Sequence, residues 1–251
     1  MPFTAAHPAA ILPFLKHSRW FSATGLVAGS IAPDFQYFLL LPIFRYSGHT
    51  LEGLLLFNLP IALLIATVFH LVVRRPTVAH LPHWLKQRAL AVPTLDWLKF
   101  LRQRWFVFAT SVIIGAATHI FWDGFTHDTG YFVGKWPILA SMVPLPLLNW
   151  DMMLCRIIQH TSTVVGSLAI LVYTWRQPTV AIRHDISTTQ KVAFWAGIAM
   201  AGFAFMGYAL YASIFMRSLM GIVVSFITGA MLATVAISTA IKLSWLRQPR
   251  P

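Results

Sequence analysis

The chain has 251 residues, 57% of them apolar and 10% charged, against about a quarter charged in soluble domains, which excludes an ordinary soluble protein and points to an integral membrane protein. The net charge of +12 comes from 19 Lys and Arg against 7 Asp and Glu. Most of these basic residues flank apolar runs, which favours anionic membrane lipids as partners over nucleic acid, and the single cysteine, Cys155, excludes a disulfide framework.

The segment Met1–Ala10 lacks a basic start leading into an apolar run, so no cleavable signal is expected. Pro8 suits a first helical turn, where its missing N–H costs nothing, and predicts a short helix over about residues 8–16. Residues 24–44 are apolar but interrupted by Gly29, Pro33, Asp34 and Pro42, the pattern of two short helices or a re-entrant element. The first full span is read at Leu51–Val73, closed by His70, Arg74 and Arg75. A basic amphipathic connector, 74–104, leads to a second span at Trp105–Phe125. Residues 128–151, broken by Pro137, Pro144 and Pro146, are expected to cap the bundle at the interface. Further spans are predicted at about 153–175, 192–216 and 219–243, each long enough for a bilayer core. The fold class is therefore all-α, a polytopic integral membrane helical bundle of about five transmembrane helices plus short N-terminal half-buried or re-entrant helices. Residues 1–175 would carry the chemistry, and 176–251 would add two packing helices.

In those last two spans, Ala193, Gly197 and Ala201 repeat at four, as do Gly221, Ser225, Gly229 and Ala233. Small residues at that spacing let helices approach closely in lipid, against each other or in a homo-oligomer. Charge sets the orientation. The 74–104 loop carries Arg74, Arg75, Lys86, Arg88, Lys99, Arg102 and Arg104 against Asp96 alone, whereas the other side offers little beyond Arg45, Lys135 and Arg217. The positive-inside rule places 74–104, 176–191 and the C-terminus in the cytoplasm. The start of span one and the end of span two then meet at the external face.

That end carries the richest run of ligand-type side chains, Thr118-His119-Ile120-Phe121-Trp122-Asp123-Gly124-Phe125-Thr126-His127. His119, Asp123 and His127 follow at steps of four and, at about 3.6 residues per turn, line one helix face. An acid set between two histidines on an apolar span calls for a partner, and a metal ion is the natural one. Asp34 lies in the apolar stretch Gly29-Ser30-Ile31-Ala32-Pro33-Asp34-Phe35, where lipid exposure would be costly, so it is expected to face a cavity or a partner. Its alternative role is a helix N-terminal carboxylate beside Pro33. His7, before Pro8, stands at a helix start from which it can point into the bundle or stay at the surface. His49 and Glu52 enter span one together. For Glu52 three roles are open: general base, orienter of a ligating histidine, or helix N-terminal carboxylate, with the second preferred. Glu52 and His127 are the candidate catalytic residues. Gln159 and His160 are read either as hydrogen-bond donors to the site or as headgroup contacts. His17, His80, His83 and His184 are expected in solvated loops. Imidazoles and carboxylates without thiolate suit zinc first, with iron or manganese next.

The opening Met1-Pro2-Phe3-Thr4-x-x-His7-Pro8-Ala9, the Gly29–Phe35 stretch, His119-x-x-x-Asp123-x-Phe125-Thr126-His127 and Gln159-His160-x-Ser162 closely resemble the bacterial domain-of-unknown-function 4184 family of membrane proteins. The resemblance covers about residues 1–175. More distantly, the order His, Pro-Asp, His, His-x-x-x-Asp is similar to the membrane-bound metal-dependent hydrolases and to the zinc phospholipase C and S1/P1 nuclease group. Those groups usually continue Pro-Asp with an aspartate-rich motif, whereas Asp34 is followed by Phe35-Gln36-Tyr37. The resemblance implies metal ligation by His7, Asp34, His49, His119 and Asp123. The expected activity is metal-dependent hydrolysis of a membrane-associated ester or phosphoester. The alternative is a non-catalytic protein whose His/Asp cluster is a structural metal or hydrogen-bond site, acting in assembly or lipid organisation.

Overall fold

The computed structural model describes residues 4–38, 48–146, 149–212, 214 and 218–247. Pro42, Arg45, Arg217, the opening Met1-Pro2-Phe3 and the 39–44 part of the expected re-entrant element lie outside the described residues. So does most of the 213–216 end predicted for the fourth span.

A 3-10 helix over Thr4–Lys16 opens the chain. It starts four residues before the expected helix, because Pro8 sits inside it rather than at its first turn. Helix α1 (Ala23–Ile31) follows, capped by the Ser22 hydroxyl, which accepts from the Gly25 N–H at 3.1 Å. A 3-10 turn (Ala32–Asp34) and α2 (Phe35–Phe38) follow it. The spans are α3 (Leu51–His80), α5 (Trp97–Thr126), α7 (Leu154–Trp175), α8 (Thr188–Tyr211) and α9 (Leu219–Arg247), five helices long and apolar enough to cross a membrane. Between α3 and α5 lies α4 (His83–Ala91). Between α5 and α7 lie α6 (Tyr131–Lys135), a 3-10 turn (Pro137–Ala140) and an antiparallel hairpin, β1 (Met142–Leu145) with β2 (Trp150–Met153). The hairpin was not expected. Asn149 turns it in the left-handed region, φ 49°, which asparagine tolerates better than most residues.

Two span boundaries moved for physical reasons. Span one continues past Val73 to His80 because a wider π-helical turn, Phe69–Val73, precedes Pro76. An ordinary α-turn would set the proline ring against the Val72 carbonyl. Span two begins at Trp97, not Trp105, and bends at Arg104 (φ −136°, ψ 30°). The Arg104 guanidinium donates to the Ser18 and Arg19 carbonyls at that bend.

The chain divides into two compact units. One comprises Met1–Phe35, Tyr46–Leu63 and Gln103–Arg176; the other comprises Gln36–Arg45, Leu64–Arg102 and Gln177–Pro251. In the first, α1 crosses α5 at backbone contact. A Cβ on Gly29 would stand 2.2 Å from the Val112 carbonyl oxygen, and one on Gly115 2.3 Å from that of Leu26. Trp105 and Phe125 on α5 are separated by about 30 Å of helix, the thickness of a hydrocarbon core. Trp105 at one end, and Tyr131, Trp136 and Trp150 beyond the other, are exposed, as interfacial aromatic anchors are.

In the second unit α8 packs on α9. The buried face of α9 is Gly221, Val224, Ser225, Thr228, Gly229 and Ala233, as its small-residue repeat predicts. The face of α8 is Phe194, Ile198 and Gly202, one residue round from the expected Ala193, Gly197 and Ala201. The reason is bulk. Phe205 and Phe226 fill the interface, and a Cβ on Gly229 would lie 2.5 Å from the Cβ of Phe205. His80 is also not in a solvated loop: it is buried, stacked on Phe194 at 4.4 Å, with Nδ1 2.7 Å from the Pro76 carbonyl oxygen. His17 and His184 are exposed outside the helices, as expected, whereas His83 is exposed as the first residue of α4.

Candidate metal centre

The first unit gathers side chains from four segments far apart in sequence. The 3-10 helix brings Thr4 and His7; with three residues per turn, side chains at i and i+3 eclipse, so both leave the same edge. The Thr4 hydroxyl donates to Asp34 Oδ2 at 2.6 Å. His7 Nε2 stands 3.6 Å from Asp123 Oδ1, with its ring stacked on that of His119 at 3.6 Å between centroids. Asp34 ends the 3-10 turn after α1, and neither it nor His119 is open to solvent. His49 arrives from the turn before α3. That turn is pressed against Pro33, whose carbonyl oxygen would lie 2.1 Å from a Cβ on Gly48. It is held by the buried Asn58 amide, which donates to the Gly48 carbonyl at 2.9 Å.

Asp34, His49, His119 and Asp123 each offer one ligand atom, all within 4.8 Å of one another. His119 Nε2 is 3.5 Å from Asp34 Oδ1 and 3.3 Å from Asp123 Oδ2. His49 Nε2 is 3.6 Å from Asp34 Oδ1 and 3.2 Å from Asp123 Oδ2. Ligands bound at 2.0–2.1 Å in a tetrahedron are separated by about 3.3–3.4 Å, so these edges have the spacing of a coordination shell. One of these contacts, His49 Nε2 to Asp123 Oδ2, is also a hydrogen bond. His7 Nε2, His119 Nε2, Asp34 Oδ1 and Asp123 Oδ1 are all buried with no hydrogen-bond partner among the described residues, which is uncommon for protein polar atoms. His119 Nδ1 lies 2.7 Å from the Ser30 carbonyl oxygen. A carbonyl only accepts, so Nδ1 carries a proton and Nε2 is the atom turned to the cluster, the arrangement usual for a metal-ligating histidine.

Charge points the same way. Among the described residues neither Asp34 nor Asp123 has a Lys or Arg partner; their ionic neighbours are histidines. Each unpaired buried carboxylate costs several kcal/mol, which a divalent cation would offset. The residues present fit such an ion.

The two oxygens of Asp123 face different groups. Oδ2 points to His49 and His119, whereas Oδ1 lies 3.6 Å from both His7 Nε2 and His127 Nδ1. His127 also places Nδ1 3.2 Å from the Asp123 carbonyl oxygen. Burial, reinforced by His119, pushes the His7 imidazole down to about 4. Burial likewise lowers His127. Both are neutral near pH 7, with lone pairs to offer. The cluster opens at His49 and His127, whose side chains are 27% and 26% exposed.

The five residues expected as ligands thus come together, with His127 at the rim. Glu52 does not join them: it is exposed in the first turn of α3, and its carboxylate has no partner among the described residues. The Thr50 hydroxyl accepts from the Gly53 N–H and caps α3, leaving Glu52 as a helix N-terminal carboxylate. Gln159 is buried with Nε2 unpartnered, its Oε1 accepting from Arg156 at 3.4 Å, while His160 is exposed. Arg156 also grips Asp128 through two hydrogen bonds of 2.5 and 2.6 Å, fixing the turn that carries His127. Sequence reasoning missed the supporting partners Thr4, Ser30 and Asn58. The Thr4-x-x-His7 spacing was the one available signal.

Residues 1–239 match the family described as Domain of unknown function (DUF4184). The chain belongs to that family. No curated protein and no solved structure matches it. Family membership agrees with the motifs at His7, Asp34 and His119-x-x-x-Asp123 and extends through the last two spans. It assigns no chemistry, so the functional argument rests on the cluster.

Proposed function

We propose that this membrane protein holds a divalent metal, zinc before iron or manganese, on Asp34, His49, His119 and Asp123, and hydrolyses a membrane-associated ester or phosphoester. The observation that supports the reading is that ligand atoms of Asp34, His49, His119 and Asp123 lie within 4.8 Å of one another, with Asp34 Oδ1 and His119 Nε2 buried and lacking a hydrogen-bond partner among the described residues, beside the opening at His49 and His127. Such a cation, when bound, makes water acidic enough to attack near neutral pH and polarises a phosphoryl or carbonyl oxygen. His127, half-exposed at that opening and held against Asp123, is placed to pass a proton to or from a leaving group. His7 and the Ser30 carbonyl keep Asp123 and His119 oriented. The basic excess of 74–104 and 176–191 supports an inner-membrane orientation with the cluster on the external side.

One observation favours the second reading, a structural metal. Four protein ligands on one ion resemble closed, non-catalytic zinc sites. Protein in nanodiscs, offered chromogenic esters and phosphodiesters, separates the two. Hydrolysis should be abolished by chelation, restored by zinc, and reduced roughly 10²–10⁴-fold by His127→Ala with metal content retained. Protein that keeps its metal and turns over none of these substrates has a structural centre.

A further inference from the structure

Beside the cluster lies a groove of about 270 Å³, lined by Ala6, His7, Ala9, Ala10, Trp122, Ser162, Val165 and Gly166. Its walls are the 3-10 helix, α5 and α7, all within the first unit. The helices that form it touch at small residues: a Cβ on Gly166 would stand 3.0 Å from the Ala6 carbonyl oxygen and 3.4 Å from the Ala9 Cβ. Small residues are therefore required where the 3-10 helix meets α7, and the rest of the lining is mainly apolar, with the Trp122 indole along one border. The groove is also graded. His7, 6% exposed with Nε2 unpartnered, forms the wall shared with the Asp123 carboxylate. Along α7, the Ser162 hydroxyl gives way to Val165 and Gly166 toward the middle of the span, about 6 Å from first to last. Its sides are open: Val165 and Trp122, both well exposed, border it on membrane-spanning helices.

From this grading we infer that the groove seats one hydrocarbon chain of a membrane lipid, with the lipid's polar linkage at the His7 end against the cluster. The substrate class of the centre is then an acyl lipid presented sideways from the bilayer, an assignment that rests on the hydrolytic reading above. The volume falls below the roughly 300–1,000 Å³ of pockets that enclose a whole small molecule, so one chain segment is the matching occupant. In lipid, hydrocarbon gains nothing by leaving hydrocarbon. Preference for the groove must come from its close walls and from the polar groups at one end, which orient an amphiphile and do nothing for an alkane.

The test is photolabelling in nanodiscs doped with a phospholipid carrying a diazirine on one acyl chain, with adducts mapped by peptide mass spectrometry. The expected result is about tenfold more adduct on Ala6–Ala10 and Ser162–Gly166 than on the exposed Leu168 and Leu171 of the same helix, a ratio worth about 1.4 kcal/mol. Ala10→Phe and Val165→Phe, both at exposed positions, should bring the ratio near one while leaving metal content unchanged. Asp123→Ala should lose metal and keep the groove adducts. Equal labelling of groove and lipid-facing positions in the unsubstituted protein overturns the proposal, as does labelling unaffected by both Phe substitutions. Turnover is read separately. Groove adducts without hydrolysis of any ester would sink the hydrolytic reading and leave the chain site standing.

Discussion

Replacing Gly29 by alanine tests how the centre is held. The added methyl would stand 2.2 Å from the Val112 carbonyl oxygen and 2.8 Å from its Cα, where ordinary contact begins at 3.4 Å. The obstruction is backbone on both sides, so α1 must withdraw from α5 by about 1.2 Å, and the strain should cost about 1–3 kcal/mol, as overpacking does. The next residue is Ser30, whose carbonyl holds His119 Nδ1 at 2.7 Å, and Asp34 follows one turn later. A displacement of that size breaks the hydrogen bond and exceeds the roughly 0.2 Å tolerance of coordination distances. Loss of such a supporting contact typically lowers metal affinity about 10–100-fold. Metal competition against a fluorescent chelator, together with thermal unfolding in detergent, reads both effects. Gly207→Ala is the control, since nothing lies within 4 Å of a Cβ there; it should be neutral or stabilising by up to about 1 kcal/mol. If Gly29→Ala matches the unsubstituted protein in both assays, the close crossing of α1 and α5 does not set the site.

Gly229→Leu should destabilise the α8–α9 pair by at least about 1–3 kcal/mol, because even its Cβ would meet that of Phe205 at 2.5 Å; unchanged detergent stability would show that this face is not packed. Lys191 and Lys86 hold the Asp185 carboxyl below its usual range, so its stabilising effect is full above the ordinary aspartate value near 3.9 and fades as pH falls toward the folded-state value. The stability difference between the unsubstituted protein and Asp185→Asn should accordingly shrink below about pH 4, and a difference constant through that range would refute the ion-pair assignment. In a Cys155→Ala background, Lys135→Cys should label from outside whole cells and Arg88→Cys should not; the reverse pattern would move the centre to the cytoplasmic side.

The spans were legible because apolar length and charge asymmetry are local properties. So was the convergence of His119 with Asp123, which needs only helical periodicity, and of His49 with them, which needs only the order of spans. Other features depended on tertiary contact. A proline inside the Thr4–Lys16 helix suggested a start at Pro8, yet packing against α1 and α7 favours the tighter 3-10 turn that aligns Thr4 with His7. The π-helical turn ahead of Pro76 has no sequence signature of its own. Phe205 and Phe226 rotated the α8 face by one residue because the small-residue repeat describes where helices can approach, and bulky neighbours decide where they do. Glu52 shows the limit of spacing arguments: three residues from His49 would make it a neighbour on a regular helix, but His49 lies in the turn before α3 and Glu52 is exposed.

Elemental analysis of the purified protein, with and without Asp123→Ala, tests the central claim most directly. About one zinc, iron or manganese ion per chain is expected in the unsubstituted protein, falling to background in Asp123→Ala while circular dichroism shows the helices retained. A helical, unsubstituted protein that carries no such metal as purified, and takes up none from micromolar zinc, would contradict the account.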